Sequence, residues 1–206
     1  MLPGGGHSLW PTTRTTALLN EVIAVVLGYL IGSIPSAYII GRLVGKIDLR
    51  PEGDGRISAA AVHRKLGVFP FVLVVIMDVG AGVLAVLIAQ MLTDSQLPVL
   101  IAGFAAVVGH NWSVFLKFRG GLGATTTFGV LVTLVWWQFL LVAAVAFTIF
   151  LITKRKRSGL MTTILIVGLS ALLFVQELPL ILVIYPFVLI TLMPLKSFQI
   201  SKTGPR

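Results

Sequence analysis

Cysteine is absent from the 206-residue sequence, and charge is scarce. Without cysteine there are no disulfides, no thiolate metal ligands and no thiol nucleophile. Charged residues make up 11% of the chain, against about 25% in an ordinary soluble domain. Acids are the rarer sign, 7 Asp+Glu against 16 Lys+Arg. This excludes a soluble globular domain and a charge-rich disordered chain. What fills the sequence is apolar: 57% hydrophobic residues and a mean hydropathy of +1.01. These values define an all-α, polytopic membrane helix bundle. A net charge of +9 in a soluble protein would suggest nucleic acid. In a membrane chain, basic residues flank the spans and set their orientation, so no nucleic-acid partner is expected.

A helix crossing about 30 Å of hydrocarbon needs about 20 apolar residues. Residues 17–40, 67–92, 97–116, 160–175 and 180–195 read as spans. Residues 124–152 cross once or twice, and charge decides between the two. Four basic clusters (residues 42–65, Lys117 with Arg119, residues 154–157, and the tail with Lys196, Lys202 and Arg206) hold 15 of the 16 Lys+Arg. Outside these clusters and the in-span Asp78, the acids are Glu21, Asp94 and Glu177. A double crossing that turns near Trp136-Trp137-Gln138 puts every basic cluster on one face. The expectation is therefore about seven spans, two of them short, with the N-terminus outside and the C-terminus cytoplasmic. Residues 1–16, rich in Gly, Pro and Thr, read as a flexible tail rather than a signal peptide. Residues 17–195 read as a single integral membrane domain and residues 196–206 as a short basic cytoplasmic tail.

Three features exceed plain connection. Residues 41–67 mix Arg42, Lys46, Arg50, Arg56, Arg64 and Lys65 with Asp48, Glu52, Asp54 and the glycines Gly53 and Gly55. Glycine amides with arginines suit a phosphate, and a solvated connector has the same composition. In residues 109–129, His110 and Asn111 precede Lys117, Arg119 and Gly120-Gly121-Leu122-Gly123, and Thr125-Thr126-Thr127 then opens an apolar helix. This pattern suits an anion at a helix N-terminus or a flexible turn with a threonine cap. Asp78 lies inside a span, where a carboxylate is costly and faces a partner, as an ion pair or a packing hydrogen bond. Gly80 and Gly82 beside it suggest close helix approach.

At these residues the sequence resembles the bacterial membrane-integral glycerol-3-phosphate acyltransferases that use acyl phosphate, the PlsY family. Gly32-Ser33-Ile34-Pro35-Ser36-Ala37-Tyr38 matches G-S-I-P-x-A/G-Y. Asp48-Leu49-Arg50 and residues 53–64 align with D-x-R and G-S-G-N-I-G-A-T-N-x-x-R. Asp78-Val79-Gly80-Ala81-Gly82 aligns with D-V-x-K-G, and residues 109–126 align with G-H-x-x-P-x-F-L-x-F-K-G-G-K-G-V-A-T. The matches run from Gly28 to about Gly129, half the chain. The departures are Asp54, Arg56, Ala60 and Ala61 in the first loop, Ala81 and Leu122 at two lysine positions, and no family His or Asn in residues 192–201.

The resemblance implies transfer of an acyl group from acyl phosphate to the 1-hydroxyl of glycerol 3-phosphate, giving lysophosphatidic acid, with no cofactor and no metal. It places the protein in the cell membrane with a cytoplasmic active face, and its acyl chain in a groove between helices. Ser33 and His110 are the implied catalytic residues. Arg50, Gly53, Gly55, Arg56, Arg64, Lys117, Arg119, Gly120, Gly121, Gly123 and Thr126 are the implied substrate and phosphate ligands. Asp48, Asp78 and Asn111 are the implied supports. Because polar ligands are lost while the scaffold is kept, a catalytically silent relative that binds lipid or a protein partner is the alternative.

Overall fold

A computed structural model describes residues 14–49, 57–153, 167–170, 172–173, 176 and 178–203. Eight α-helices among them are α1 (Arg14–Gly32), α2 (Ser36–Val44), α3 (Ala59–Leu66), α4 (Val68–Leu92), α5 (Gln96–Asn111), α6 (Ala124–Leu134), α7 (Trp136–Thr153) and α8 (Leu180–Thr203). A 3₁₀ turn, Val114–Leu116, follows α5. Arg50, Gly53, Gly55, Arg56, the basic run at 154–157 and most of the expected span at 160–175 lie outside the described residues.

Three helical segments, Arg14–Val44, Val68–Leu92 and Gln96–Leu116, are long and apolar enough to cross a membrane. Their outward side chains are apolar too: Leu19, Val22, Ile76 and Met91 are all exposed. Such residues suit lipid rather than water.

The segment expected as one span at 17–40 is two helices. Pro35 has no amide hydrogen to continue α1. Ser33 N–H donates to Tyr29 O, Ile34 N–H donates to Ile31 O, and the chain restarts at Ser36. This break becomes one wall of the site.

Residues 124–153 divide into two helices. Val135, at φ −140° and ψ 52°, separates α6 from α7. The rings of Phe128 and Phe139 meet edge to face with centroids 4.9 Å apart. In one continuous helix, eleven residues would separate them by about 16 Å, so the chain doubles back.

Small residues set the helix spacing. Gly28 and Gly32 lie against the backbone of Ala102 and Ala106, which brings α1 into contact with α5. Gly82 meets the Thr126 carbonyl and Gly129 meets the Val79 carbonyl, which brings α4 against α6. Gly80 has nothing within 4 Å of where a β-carbon would stand, so Gly82 alone of that pair carries the contact. Phe139, Leu100, Leu169, Leu173 and Leu189 are buried in the main core. A second cluster of Ile40, Leu49, Ile57, Val62, Val74 and Leu116 packs the first loop and α3 onto α4. Ser58 caps α3, accepting from the Ala61 amide at 3.4 Å.

Candidate active site

Four elements meet where α1 breaks. The break supplies Ser33, α2 supplies Ser36, α4 supplies Asp78, and the last turn of α5 supplies His110. With Gly120 and Gly121 these line a small pocket of about 10 Å³. The wall is tied to the segment that follows α5. Ser113 Oγ donates to the Ser33 carbonyl at 2.5 Å, and the Tyr29 hydroxyl donates to the Trp112 carbonyl at 2.9 Å. Gly109 lies against Tyr29 O and Ser33, so the two backbones touch.

Asp78 is buried, and its carboxylate gathers polar groups from three other elements. Ser36 Oγ donates to Oδ1, and Thr125 Oγ1 donates to Oδ2 at 2.8 Å. His110 Nδ1 lies 3.7 Å from Oδ1. Three hydroxyl- or imidazole-bearing residues around one acid answer the cost of burying it.

The glycine turn works partly by packing. Gly120 N–H donates to the Asn111 carbonyl and Gly121 N–H to the His110 carbonyl, each at 3.1 Å. Those two amides therefore cap the C-terminus of α5 and face its carbonyls. A β-carbon on Gly121 would stand under 3.0 Å from His110 Nε2, so this glycine is what leaves the ring edge open. Gly123, at φ +75°, is in the left-handed region and starts α6. The first three amides of α6 have no intrahelical partner and point out of its N-terminus, next to Thr125.

The sequence-nominated residues divide accordingly. Ser33, Asp78, His110, Gly120 and Gly121 share the pocket. Asn111, fully buried, packs its Oδ1 against Gly123 behind it. Thr126 is also buried, and among the described residues its hydroxyl, the Asn111 amide and Ser33 Oγ have no hydrogen-bond partner. Asp48 pairs with Arg42 at 2.6 Å, and Arg42 Nε also reaches the Tyr38 hydroxyl at 3.3 Å. Arg64, Lys117 and Arg119 are exposed and make no ion pair among the described residues. Lys117 and Phe118 both have positive φ, 53° and 63°, a strained conformation in a loop beside the pocket.

Ser36, Thr125 and Ser113 are polar neighbours of the site that the motifs do not single out. Ser113 stands where the resembled pattern has proline, so nothing in that pattern announces its hydroxyl. Thr125 is one of three consecutive threonines, and only the start of α6 decides which of them faces α4.

A second cavity, wholly apolar and about 540 Å³, opens between α5 and α8. Leu97, Ile101, Phe104, Ile184 and Val188 line it. Tyr185 closes it, its hydroxyl donating to the Leu100 carbonyl at 2.8 Å. Its end at Phe104 lies six residues, about 9 Å of helix, from His110.

An apolar bundle with a buried acid–histidine pocket at one end, a glycine turn beside it and a greasy groove along the same helix defines a membrane protein built to handle an amphiphile. The profile of the family described as "Glycerol-3-phosphate acyltransferase" matches residues 22–198. A glycerol-3-phosphate acyltransferase of Shouchella clausii is 36% identical over 158 residues, 76% of this chain and 77% of that one. One from Thermoanaerobacter pseudethanolicus is 41% identical over 144 residues, 70% and 72% of the two chains. The fold matches the crystal structure of PlsY, an integral membrane glycerol 3-phosphate acyltransferase, in its glycerol 3-phosphate form. That match has a TM-score of 0.73 and 29% identity, and covers 90% of this chain and 94% of that one. The same protein in its lysophosphatidic acid form gives a TM-score of 0.71. This chain belongs to the glycerol-3-phosphate acyltransferase family and is an integral membrane protein.

Proposed function

We propose that the chain transfers a fatty acyl group from acyl phosphate to the 1-hydroxyl of glycerol 3-phosphate, making lysophosphatidic acid for phospholipid synthesis. The observation that carries this reading is the convergence of Ser33, Asp78 and His110 in one pocket beside the start of α6. His110 Nε2 takes the proton of the 1-hydroxyl as its oxygen attacks the acyl carbon. The acyl carbon–oxygen bond to phosphate then breaks, and inorganic phosphate leaves with the electron pair. Ser33 Oγ donates a hydrogen bond to the oxygen that becomes negative. Because acyl phosphate is already activated, positioning and charge stabilisation suffice, without metal or cofactor.

The free amides at the α6 N-terminus, Gly123 and Thr126 beside them, and Lys117 and Arg119 in the adjoining loop are the phosphate-binding groups of this reading. Arg64 joins them as a candidate phosphate ligand, and the first-loop candidates Arg50, Gly53, Gly55 and Arg56 lie outside the described residues. Asp48, paired with Arg42, and Asn111, against Gly123, brace the two loops. Lys117 and Arg119 adjoin the pocket-lining residues Leu116 and Gly120, which favours a cytoplasmic active face in the cell membrane, with the N-terminus outside.

The test is acyl transfer by the full chain reconstituted in lipid, supplied with acyl phosphate and labelled glycerol 3-phosphate. Labelled lysophosphatidic acid is expected from the wild type and background levels from Ser33→Ala and His110→Ala. Folded wild-type protein without product would shift the reading to a silent relative that keeps the fold and binds lipid or a protein partner.

The groove between α5 and α8 takes the acyl chain in this reading. Its volume lies within the ~300–1,000 Å³ of ligand sites. Ile184→Trp fills it from α8. Each methylene denied burial costs about 0.8 kcal/mol, so two account for roughly a tenfold loss of kcat/KM with a sixteen-carbon donor. An eight-carbon donor is expected to keep its rate. Equal losses for both donors would remove the groove from the reaction.

A further inference from the structure

The span that ends at Val44 and the span that begins at Val68 leave the bilayer side by side. A β-carbon on Gly45, just past α2, would stand under 3.0 Å from the side chain of Leu66 at the end of α3, so the two span ends are in contact. The surface they share has two parts. Within the spans stand Leu43 and Val44 of α2 and Val68 and Phe69 of α4, all exposed, Leu43 by 73% and Phe69 by 70%. Just beyond the span ends stand Lys46 and Lys65, also exposed. Among the described residues of this stretch the one acid, Asp48, is already paired with Arg42 at 2.6 Å. The patch is therefore apolar toward the bilayer and positive beyond it.

Lys46 is kept there at a cost. It follows the C-cap of α2 with φ +51°, the left-handed position that glycine normally fills. The Gly45 and Ile47 amides both donate to the Gly41 carbonyl, at 3.2 and 3.1 Å, and fix the turn. A lysine held in that conformation at an exposed position points to a use for its side chain. On α3, Ala61 and Val62 are buried while His63, Arg64 and Lys65 are exposed, and the His63 ring meets Phe71 of α4 edge to face with centroids 5.3 Å apart.

We propose that this patch is a seat for one anionic phospholipid, its headgroup phosphate between Lys46 and Lys65 and its acyl chains along Leu43, Val44, Val68 and Phe69. Lysine stems reach from apolar surface to headgroup depth, and cations at that depth favour anionic lipid. A second copy of the chain is a poor occupant, because a symmetric pairing sets lysine against lysine with no acid between them. The lipid staples α2 to α4, the two helices that bring Ser36 to Asp78. The seat is independent of the acyltransfer reading.

Because the sequence has no cysteine, one introduced thiol reports locally. The full chain with Leu43→Cys, labelled with bimane, is reconstituted in phosphatidylcholine, and nitroxide-labelled phosphatidylglycerol or phosphatidylcholine is added as quencher. A lysine at headgroup depth is worth about fivefold in preference for anionic lipid. Phosphatidylglycerol is therefore expected to quench at least about fivefold more strongly than phosphatidylcholine. The same label on Met91→Cys, at the other end of α4, is expected to show no preference. Adding Lys46→Gln and Lys65→Gln to the Leu43→Cys chain lowers the ratio below about twofold. Salt at about 1 M, where the Debye length is about 3 Å, does the same. Lys46→Gly suits the left-handed turn, so it keeps or raises the melting temperature while lowering the ratio, and it serves where the double variant does not fold. Equal quenching by the two lipids at Leu43→Cys, an equal preference at Met91→Cys, or an unchanged ratio in a folded variant overturns the proposal. So does loss of the preference in excess glycerol 3-phosphate, which would make the two lysines substrate ligands instead.

Discussion

Gly32→Ala is expected to cost about 3 kcal/mol or more and to lower the melting temperature of the reconstituted protein sharply. The added methyl would stand under 3.0 Å from the carbonyl oxygen, carbonyl carbon and Cα of Ala106. All three are backbone atoms inside α5, so no rotamer change relieves the clash and the two helices must part. Parting them also pulls Gly109 from Tyr29 and Ser33 one turn further along. In a membrane the helices gain little from hiding apolar surface, because lipid is as apolar as leucine, and close backbone packing supplies much of what holds them. Gly80→Ala is the matched control. With nothing within 4 Å of its β-carbon position, it is expected to be neutral or to stabilise α4 by about 0.5–1 kcal/mol. Thermal unfolding of the two variants in the same lipid checks this, and equal stability would mean that α1 and α5 do not pack along Gly28 and Gly32.

Much of this architecture is legible in the chain because bilayer thickness imposes length. The run at 67–92 becomes α4, Val68–Leu92, almost to the residue. The charge argument for a turn near Trp136 anticipates the reversal at Val135, since a crossing that stranded the basic run at 154–157 on the far side would be penalised. The glycine-rich turn is where composition misleads. Three glycines in four residues suggest amides free to hold an anion, yet those of Gly120 and Gly121 point back to the carbonyls that end α5. Glycine is needed there for its missing side chain as much as for its backbone, and composition does not distinguish the two uses. Partner choice is similarly hidden. Asp48 pairs with Arg42, six residues behind it on α2. Asp78 advertises a need for partners, while which serine and which threonine answer depends on the phase of α2 and α6, fixed by Pro35 and Gly123.

Gly121→Ala separates those two uses of glycine at the site. Its φ is not among the positive values, so alanine is tolerated by the backbone. The new methyl meets His110 Nε2 under 3.0 Å away, the far end of a side chain that can swing. The fold is therefore expected to survive while the ring edge leaves the pocket. General-base catalysis contributes about 10²–10⁴-fold, so kcat is expected to fall at least about a hundredfold, with KM for glycerol 3-phosphate little changed. A rise in KM at constant kcat would instead make Gly121 a phosphate-binding residue. Gly120→Ala is the contrasting variant: its methyl would strike the carbonyl oxygen of His110 itself, which cannot swing, so stability falls together with activity. Steady-state kinetics with a melting curve for each variant tells the outcomes apart. Wild-type kcat in folded Gly121→Ala would show that proton transfer does not pass through Nε2.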